Sequence, residues 1–281
     1  DGMKTLRKQF MNGEEPSVCS TCFDRERISG ISNRIHRLRN FQSTVDNVTS
    51  ITLPDGTCTE MKLKYWDFRF SNLCNLRCRS CGHIFSSQWY QDQAKLAGPD
   101  WKLNNSVLNY AGRTETDMWQ QLEPHLDYVE QIYFAGGEPL LMEEHYNILE
   151  ELLKRGRTDV RLIYNTNFTQ IKLKDREVFD YWKKFKSVSV GASLDASGAR
   201  AELLRKGTDW RQTVDNRERM MQDCPNVDFY ISPTLSIMNA VHLPDFHRAW
   251  VAKGYIKPQD LNVNILQDPA YLRIDIATPE Y

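Results

Sequence analysis

The sequence lacks the features that mark several common classes of protein. No run of residues approaches the roughly 18 apolar residues that a membrane-spanning helix needs, so we expect no membrane partner. Lys and Arg number 36 against 37 Asp and Glu, and the net charge of −1 provides no global positive field for nucleic acid. No signal peptide is visible at the start, and we expect a cytoplasmic protein.

The cysteines do not fit a disulfide framework. The sequence has seven of them, an odd number, and five fall in two tight clusters. The first cluster is Cys19 and Cys22, and the second is Cys74, Cys78 and Cys81. This pattern favours metal binding in a reducing compartment over a set of disulfides.

The most informative stretch is residues 71–81, SNLCNLRCRSC, which follows a strand-like run. Three thiolates on one loop can hold three irons of a [4Fe-4S] cluster and leave the fourth iron open for a ligand. One alternative is a zinc site, completed by His83 or by the Cys19 and Cys22 pair. The other is a set of scattered, buried cysteines.

Beyond residue 60, strand-like runs alternate with helical patterns, which predicts an α/β fold with a parallel sheet and helices outside it. We expect a partial (β/α)6 TIM-type barrel over residues 61–267, after an N-terminal appendage at 1–60 and before a C-terminal tail at 268–281. The six expected strands cover residues 64–70, 131–135, 160–165, 187–194, 227–235 and 261–266.

The expected strands alternate polar and apolar residues, whereas parallel strands buried on both faces usually read as continuous aliphatic runs. Asp67 and Arg69 share one face of the first strand, and Tyr230 lies on the polar face of the fifth. We therefore expect the polar faces to line a cavity for a ligand. The alternative is an antiparallel sheet with one solvated face, which the intervening helices argue against.

Gly136-Gly137-Glu138-Pro139 follows the second expected strand, where its glycines allow the backbone to approach a ligand closely. Catalytic groups of parallel α/β barrels gather at such strand ends. Together with the Cys-x3-Cys-x2-Cys spacing of residues 74–81, this motif resembles the radical S-adenosylmethionine (radical SAM) superfamily.

The resemblance implies that Cys74, Cys78 and Cys81 bind a [4Fe-4S] cluster whose open iron chelates S-adenosylmethionine. Arg205 matches an arginine that pairs with the methionine carboxylate, a group that the guanidinium fork suits. Ser80 stands where the family often has an aromatic residue, and we expect His83 to replace it near adenine. The residues predicted to bind S-adenosylmethionine are Gly136, Gly137, Glu138, Asn165, Asn167, Ser193, Asp195, Arg205 and Ile237.

Within this superfamily, the chain resembles the twitch-domain (SPASM/twitch-like) branch. The similar segments are residues 65–78 and 86–89 and the upstream pair, Cys19 and Cys22. In that branch a second, auxiliary [4Fe-4S] cluster lies near the barrel mouth, and we predict the upstream pair as two of its ligands. The other ligands would precede Asp1, so we expect a fragment of a longer protein. Alternatively, the auxiliary cluster is absent or recruits Cys58.

The function implied by the resemblance is reductive cleavage of S-adenosylmethionine to a 5′-deoxyadenosyl radical. That radical abstracts hydrogen from a small molecule, nucleotide or peptide, for a net oxidation or modification. An external donor such as flavodoxin or ferredoxin supplies the electron. Candidates for substrate contact or proton transfer are Tyr133, Tyr230, Asp67 and Arg69.

Each of these four side chains could instead pack the lumen, and the Asp67–Arg69 pair could be only an ion pair. The alternative function is a zinc-stabilised module that binds nucleic acid or an acidic protein through the arginines at 25–39. That function would leave the Gly-Gly-Glu motif, Arg205 and the polar strand faces unexplained.

Overall fold

The computed structural model describes residues 2–41, 48–112 and 115–278. The chain divides into two compact units, Asp1–Lys62 and Leu63–Tyr281. The last part of the expected tail, residues 279–281, lies outside the described residues. Among the described residues, no helix is both long enough and apolar enough to cross a membrane.

The first unit is helical. Its helices are α1 (Gly2–Met11), α2 (Ser20–Ser29) and α3 (Asn33–Asn40). Gly30 ends α2 in the left-handed region at φ +70°, and the Ser32 hydroxyl begins α3 by accepting from the amide of Ile35. The turn at Gly56 packs on α1, because a Cβ there would lie 2.1 Å from the carbonyl oxygen of Lys4.

The second unit alternates strands and helices as the sequence predicts. Its strands are β1 (Tyr65–Phe68), β2 (Arg77–Cys78), β3 (Gln131–Phe134), β4 (Arg161–Thr166), β5 (Lys172–Leu173), β6 (Arg176–Glu177), β7 (Val188–Ala192), β8 (Arg205–Lys206), β9 (Val227–Ile231), β10 (Thr234–Leu235) and β11 (Asn264–Ile265). Its α-helices are α4 (Tyr90–Ala97), α5 (Pro99–Leu103), α6 (Glu115–Leu122), α7 (Glu143–Lys154), α8 (Val178–Trp182), α9 (Gly198–Leu204), α10 (Trp210–Asp223) and α11 (Leu243–Ala252).

Five strands form one parallel sheet in the order β1-β3-β4-β7-β9. Consecutive strands of this sheet are connected along the chain through at least one helix, which gives the parallel connections of an α/β fold. The α/β prediction with a parallel central sheet is therefore confirmed.

The sixth expected strand differs from the prediction, because it does not join this sheet as a full strand. β11 pairs only with β10, in a separate two-stranded parallel ladder, and Leu261 makes an isolated bridge to Ile231. Pro233 separates β9 from β10, and a proline has no N–H to donate to a ladder. The sixth position is thus reduced to a short extension beside the end of β9.

The apolar strand faces pack against the helices, as the alternation predicts. Val188, Val190 and Phe229 are buried, whereas Asp67 on β1 is exposed on the opposite face. Helix α7 buries the stripe that contains Tyr146, Leu149 and Leu152 against the sheet. The polar faces are left on the other side, where the candidate site lies.

His145 lies in this core with no exposed surface, among aromatic rings. Its ring centroid is 4.8 Å from that of Phe134 and 4.6 Å from that of Tyr146, and its Nε2 is 3.0 Å from the Tyr164 hydroxyl oxygen. Burial disfavours the imidazolium and lowers the pKa of His145 from 6.5 to about 3.

Because the unfolded chain binds this proton near pH 6.5 and the folded chain does not, acid should destabilise the fold. Between neutral pH and pH 5, protonation of His145 in the unfolded chain should lower the free energy of unfolding by roughly 2 kcal/mol. Urea unfolding at several pH values, compared with His145→Gln, measures this. Since carboxylates titrate in both proteins, the difference in slope isolates His145, and equal slopes would contradict its neutral burial.

Candidate functional site

The cysteine loop follows β1 and is held by a buried asparagine. Asn72 donates to the carbonyl oxygens of His83 at 2.8 Å and Val107 at 3.2 Å, and its Oδ1 accepts from the amide of Asn109 at 2.9 Å. One amide side chain therefore fixes the loop to two later segments of the chain.

Residues 86–89 clamp the same loop from outside. The Ser86 hydroxyl donates to the carbonyl oxygen of Leu76 at 2.6 Å, and the Trp89 indole donates to that of Cys78 at 3.0 Å. The Ser87 hydroxyl accepts from the amide of Cys74 at 3.3 Å. This motif, which carried part of the family resemblance, thus has a local structural role.

The glycine pair lies directly against the loop. The amide of Gly137 donates to the carbonyl oxygen of Ser71 at 3.0 Å, and that of Glu138 donates to Leu73 at 2.7 Å. A Cβ at Gly137 would lie 2.1 Å from the Leu73 oxygen, and Gly136 has φ +112°. The sequence predicted close approach to a ligand, and the structure shows close approach to the cysteine loop.

The strands β2 and β8 form a short antiparallel ladder in which Cys78 is paired with Arg205 and Arg77 with Lys206. The amide of Arg79 extends the ladder with a hydrogen bond to the carbonyl oxygen of Leu204 at 2.8 Å. This ladder brings the end of α9 against the middle of the cysteine loop.

A cavity of about 320 Å³ opens beside the loop, at the carboxyl ends of the parallel strands. Eleven of the predicted site residues line it, and they are Cys74, Cys78, Cys81, Arg69, Tyr133, Gly136, Gly137, Asn165, Asn167, Ser193 and Arg205. Glu138, Asp195, Tyr230, Ile237 and Asp67 do not line this cavity.

The three cavity thiols differ in acidity. Burial raises the pKa of Cys74 to about 11. A hydrogen bond from Cys81 lowers the pKa of Cys78 to about 7, and the same contact raises that of Cys81. Cys78 is therefore the most readily ionised of the three, and thiolates are the form that binds iron.

The donors around the sulfurs suit thiolate ligands. The amide of Leu76 lies 3.4 Å from Cys74 Sγ, the Asn167 amide nitrogen 3.8 Å from the same sulfur, and Arg205 Nη1 3.7 Å from Cys78 Sγ. Such N–H contacts accompany cysteines that hold iron–sulfur clusters. Within the described residues, no group of three or more His, Cys, Asp or Glu is arranged to hold a single metal ion.

Glu138 is buried and positions the turn after β4. Its Oε1 accepts from the Thr166 hydroxyl at 2.7 Å and the Leu140 amide at 3.1 Å, and its Oε2 accepts from the Asn167 amide at 2.7 Å. Burial raises its pKa to about 7, although these hydrogen bonds oppose the shift. Both oxygens thus contact the protein itself.

Arg205 and Asp195 form a buried ion pair at the cavity wall. Arg205 Nη2 donates to Asp195 Oδ1 at 2.9 Å, and Nε lies 2.8 Å from Oδ2 without the alignment of a hydrogen bond. Burial alone would lower the pKa of Arg205, but the charges of Asp195 and Cys78 outweigh it and raise that pKa. Asp195 therefore faces Arg205 rather than the cavity.

The predicted substrate-contact residues divide between two places. Arg69 and Tyr133 line the cavity, with the guanidinium carbon 5.8 Å from the ring centroid. Asp67 forms an ion pair with Arg69, with Oδ1 3.2 Å from the Arg69 Nε. Asp67 lines a neighbouring cavity of about 540 Å³. The Tyr230 ring packs across Gly191, where a Cβ would meet its hydroxyl at 2.7 Å.

The remaining predicted site residues are Ile237, Cys19 and Cys22. Ile237 donates its amide to the carbonyl oxygen of Leu272 at 3.0 Å. Cys19 and Cys22 lie in the first unit, at the start of α2, as partly exposed free thiols.

The structure adds cavity residues that the sequence did not single out. Phe85 supplies an aromatic ring at the cavity, whereas His83 packs edge-on against Trp101 with centroids 5.0 Å apart. His83 does not line the cavity, and its expected contact with adenine stays a prediction. Thr234 and Leu266 also line the cavity, and they are brought there by the β10–β11 ladder.

Comparison with known proteins identifies structures of similar fold. A structure of anSMEcpe with bound AdoMet matches at a TM-score of 0.52 and 20% identity, covering 75% of this chain and 51% of that chain. Another anSMEcpe structure, with bound AdoMet and Kp18Cys peptide, matches at a TM-score of 0.51 and 19% identity, covering 77% of this chain and 54% of that chain. No protein-family model and no curated protein sequence matches the chain.

The chain thus spans about half the length of these two structures. At this identity the likeness concerns the fold. It agrees with the parallel sheet described above, and the chain has the partial barrel that the radical SAM resemblance predicts.

The close approach at Gly137 can be tested by adding one methyl group. Gly137→Ala would place Cβ against the Leu73 oxygen, so we expect a loss of at least about 2 kcal/mol in the free energy of unfolding. Gly82→Ala, in the same loop, meets nothing within 4 Å and should change stability by less than about 1 kcal/mol. Equal effects in urea unfolding would argue against the packing described.

Proposed function

We propose that the chain is a radical SAM enzyme. The observation that carries the proposal is one cavity in which three cysteines of the Cys-x3-Cys-x2-Cys spacing meet the glycine pair and polar strand-end residues. The N–H groups near the sulfurs and the partial-barrel fold support the same function. Full cysteine ligation is usual for electron transfer, and three ligands suit chemistry at an open iron.

In this proposal Cys74, Cys78 and Cys81 hold a [4Fe-4S] cluster. When bound, that cluster supplies the electron that cleaves S-adenosylmethionine to methionine and a 5′-deoxyadenosyl radical, which abstracts hydrogen from the substrate. An external donor of the flavodoxin or ferredoxin class provides the electron.

The chain's own residues bind and orient the ligand. The Gly136–Gly137 backbone and the side chains of Asn165, Asn167 and Ser193 offer hydrogen bonds in the cavity. Glu138 positions Asn167 by accepting a hydrogen bond from the backbone amide of Asn167. Phe85 provides the aromatic surface for adenine that Ser80 does not, and Arg205 faces the position proposed for the methionine carboxylate.

For the substrate we propose a peptide, in line with anSMEcpe, whose structure contains the Kp18Cys peptide. The cavity of about 540 Å³ that shares Arg69 with the cysteine cavity offers room beside it. Its lining combines the Asp67–Arg69 ion pair with Phe68, Phe70 and Met118, which suits polar backbone and apolar side chains together. Tyr133 lines the cysteine cavity next to Arg69, and we propose that it contacts the substrate there.

We further propose that the first unit belongs to the twitch-domain branch and that Cys19 and Cys22 contribute to an auxiliary cluster. The two thiols are free and partly exposed, three positions apart at the start of α2. Such a cluster would accept an electron from the substrate and make the net reaction an oxidation.

Replacing Cys78 with alanine tests the proposed chemistry. We expect anaerobically reconstituted Cys78→Ala to produce 5′-deoxyadenosine from S-adenosylmethionine and dithionite only at background level. The control is Cys224→Ala, which removes a buried thiol outside the cavity and should retain production. Undiminished production by Cys78→Ala would exclude the radical SAM assignment, and colourless wild-type protein that contains zinc would favour the binding-module alternative.

The auxiliary cluster is tested by counting iron. The double variant Cys19→Ala, Cys22→Ala should bind about half the iron of the wild-type protein if two clusters of one type form. The cavity cluster should remain, as judged by 5′-deoxyadenosine production without substrate. Unchanged iron content in the double variant would remove Cys19 and Cys22 from metal binding.

A further inference from the structure

Arg205 contacts a cysteine sulfur as well as a carboxylate. Its Nη1 lies 3.7 Å from Cys78 Sγ, and its Nη2 donates to Asp195 Oδ1 at 2.9 Å. The two side chains of the ion pair are 12% and 6% exposed, so solvent screens this charge weakly. A planar guanidinium can serve both neighbours at once, because its donors point along different edges.

The backbone places this charge beside the sulfur. In the β2–β8 ladder Cys78 and Arg205 are directly paired, and paired residues of antiparallel strands project to the same face with Cβ atoms about 5 Å apart. The amide of Arg79 continues the ladder to Leu204. The contact therefore depends on backbone pairing and not on a flexible side chain alone.

Asp195 is held in turn. Its Oδ1 also accepts from the amide of Thr234 at 2.8 Å, and its own carbonyl oxygen accepts from the Asn239 side chain at 3.0 Å. Asp195 thus fixes Arg205 from the side opposite the sulfur, and its negative charge opposes that of the guanidinium.

We propose that Arg205 and Asp195 together set the reduction potential of the iron–sulfur cluster, with the positive charge of Arg205 acting on the Cys78 sulfur and the negative charge of Asp195 opposing it. This inference rests on the proposed function. Reduction adds one electron from the flavodoxin-class or ferredoxin-class donor and breaks no bond, so the cluster becomes more negative. A cation near the sulfur stabilises that reduced state, and an anion destabilises it.

The signs of the two effects are opposite, which makes the proposal specific. Arg205→Gln removes the cation and keeps an N–H donor, so reduction should become harder. Asp195→Asn removes the anion and keeps an oxygen for the Thr234 amide, so reduction should become easier. Arg205→Lys keeps the positive charge without the planar guanidinium, so its reduction potential should lie between those of Arg205→Gln and the wild-type protein.

The experiment is an anaerobic redox titration of the reconstituted full chain, without S-adenosylmethionine, using dithionite and mediators and following the cluster by absorbance and electron paramagnetic resonance. We expect Arg205→Gln to lower the equilibrium constant for reduction at least about tenfold, which is about 59 mV for one electron. Asp195→Asn should shift it in the opposite direction.

Lys206→Gln is the matched control, because it removes one positive charge from the adjacent, exposed residue, which is paired with Arg77 and not with a cysteine. It should leave the potential unchanged. If Arg205→Gln fails to bind iron, Arg205→Lys and Asp195→Asn still give the sign of the change in reduction potential.

Potentials equal to that of the wild-type protein in the variants that bind iron would overturn the proposal and leave Arg205 as a contact for the ligand carboxylate alone. A wild-type chain that takes up no iron, by contrast, would overturn the proposed function itself.

Discussion

Two backbone hydrogen bonds, from Gly137 to Ser71 and from Glu138 to Leu73, hold the cysteine loop against the end of β3. They can form because Gly137 has no Cβ, which would otherwise overlap the Leu73 oxygen. The loop then turns its three cysteines towards the carboxyl ends of the strands. The cavity, its polar lining and the approach of the β2–β8 ladder all depend on this contact.

Burial determines how the charged groups around the cavity behave. Glu138 is buried and has a raised pKa, and it is retained by hydrogen bonds to the turn after β4. Arg205 and Asp195 are buried as a pair, each compensating the cost of removing the other from water. Groups that look like ligand contacts in the sequence are thus partly engaged with one another, and they shape the cavity before any ligand arrives.

Much of the fold and part of the site could be predicted from the sequence. The alternation of strands and helices identified the parallel sheet, because period-two and helical patterns are local properties of the chain. The short cysteine spacing and the Gly-Gly-Glu motif located the cavity, since strand ends meet at one edge of a parallel sheet. The sixth strand was overestimated, because its apolar and polar alternation carries no information about its partner.

The assignment of individual roles was less predictable. Asp195 and Glu138 resemble ligand-binding acids in the sequence, yet their carboxylates contact Arg205, Thr166 and Asn167. Phe85 rather than His83 reaches the cavity, although both lie within four residues of Cys81. Side-chain direction in an irregular loop depends on distant contacts such as those of Asn72, which no local pattern reveals.

By itself, the sequence determined the α/β class, the approximate positions of the five strands of the parallel sheet and the three-cysteine loop, because each follows from residues that are neighbours along the chain. Only the tertiary structure decided which groups surround the sulfurs. Asn167 contacts Cys74 across 93 residues and Arg205 contacts Cys78 across 127. Contacts at such separations arise from strand order and ladder pairing, since these are set by packing of the whole barrel and not by local propensity.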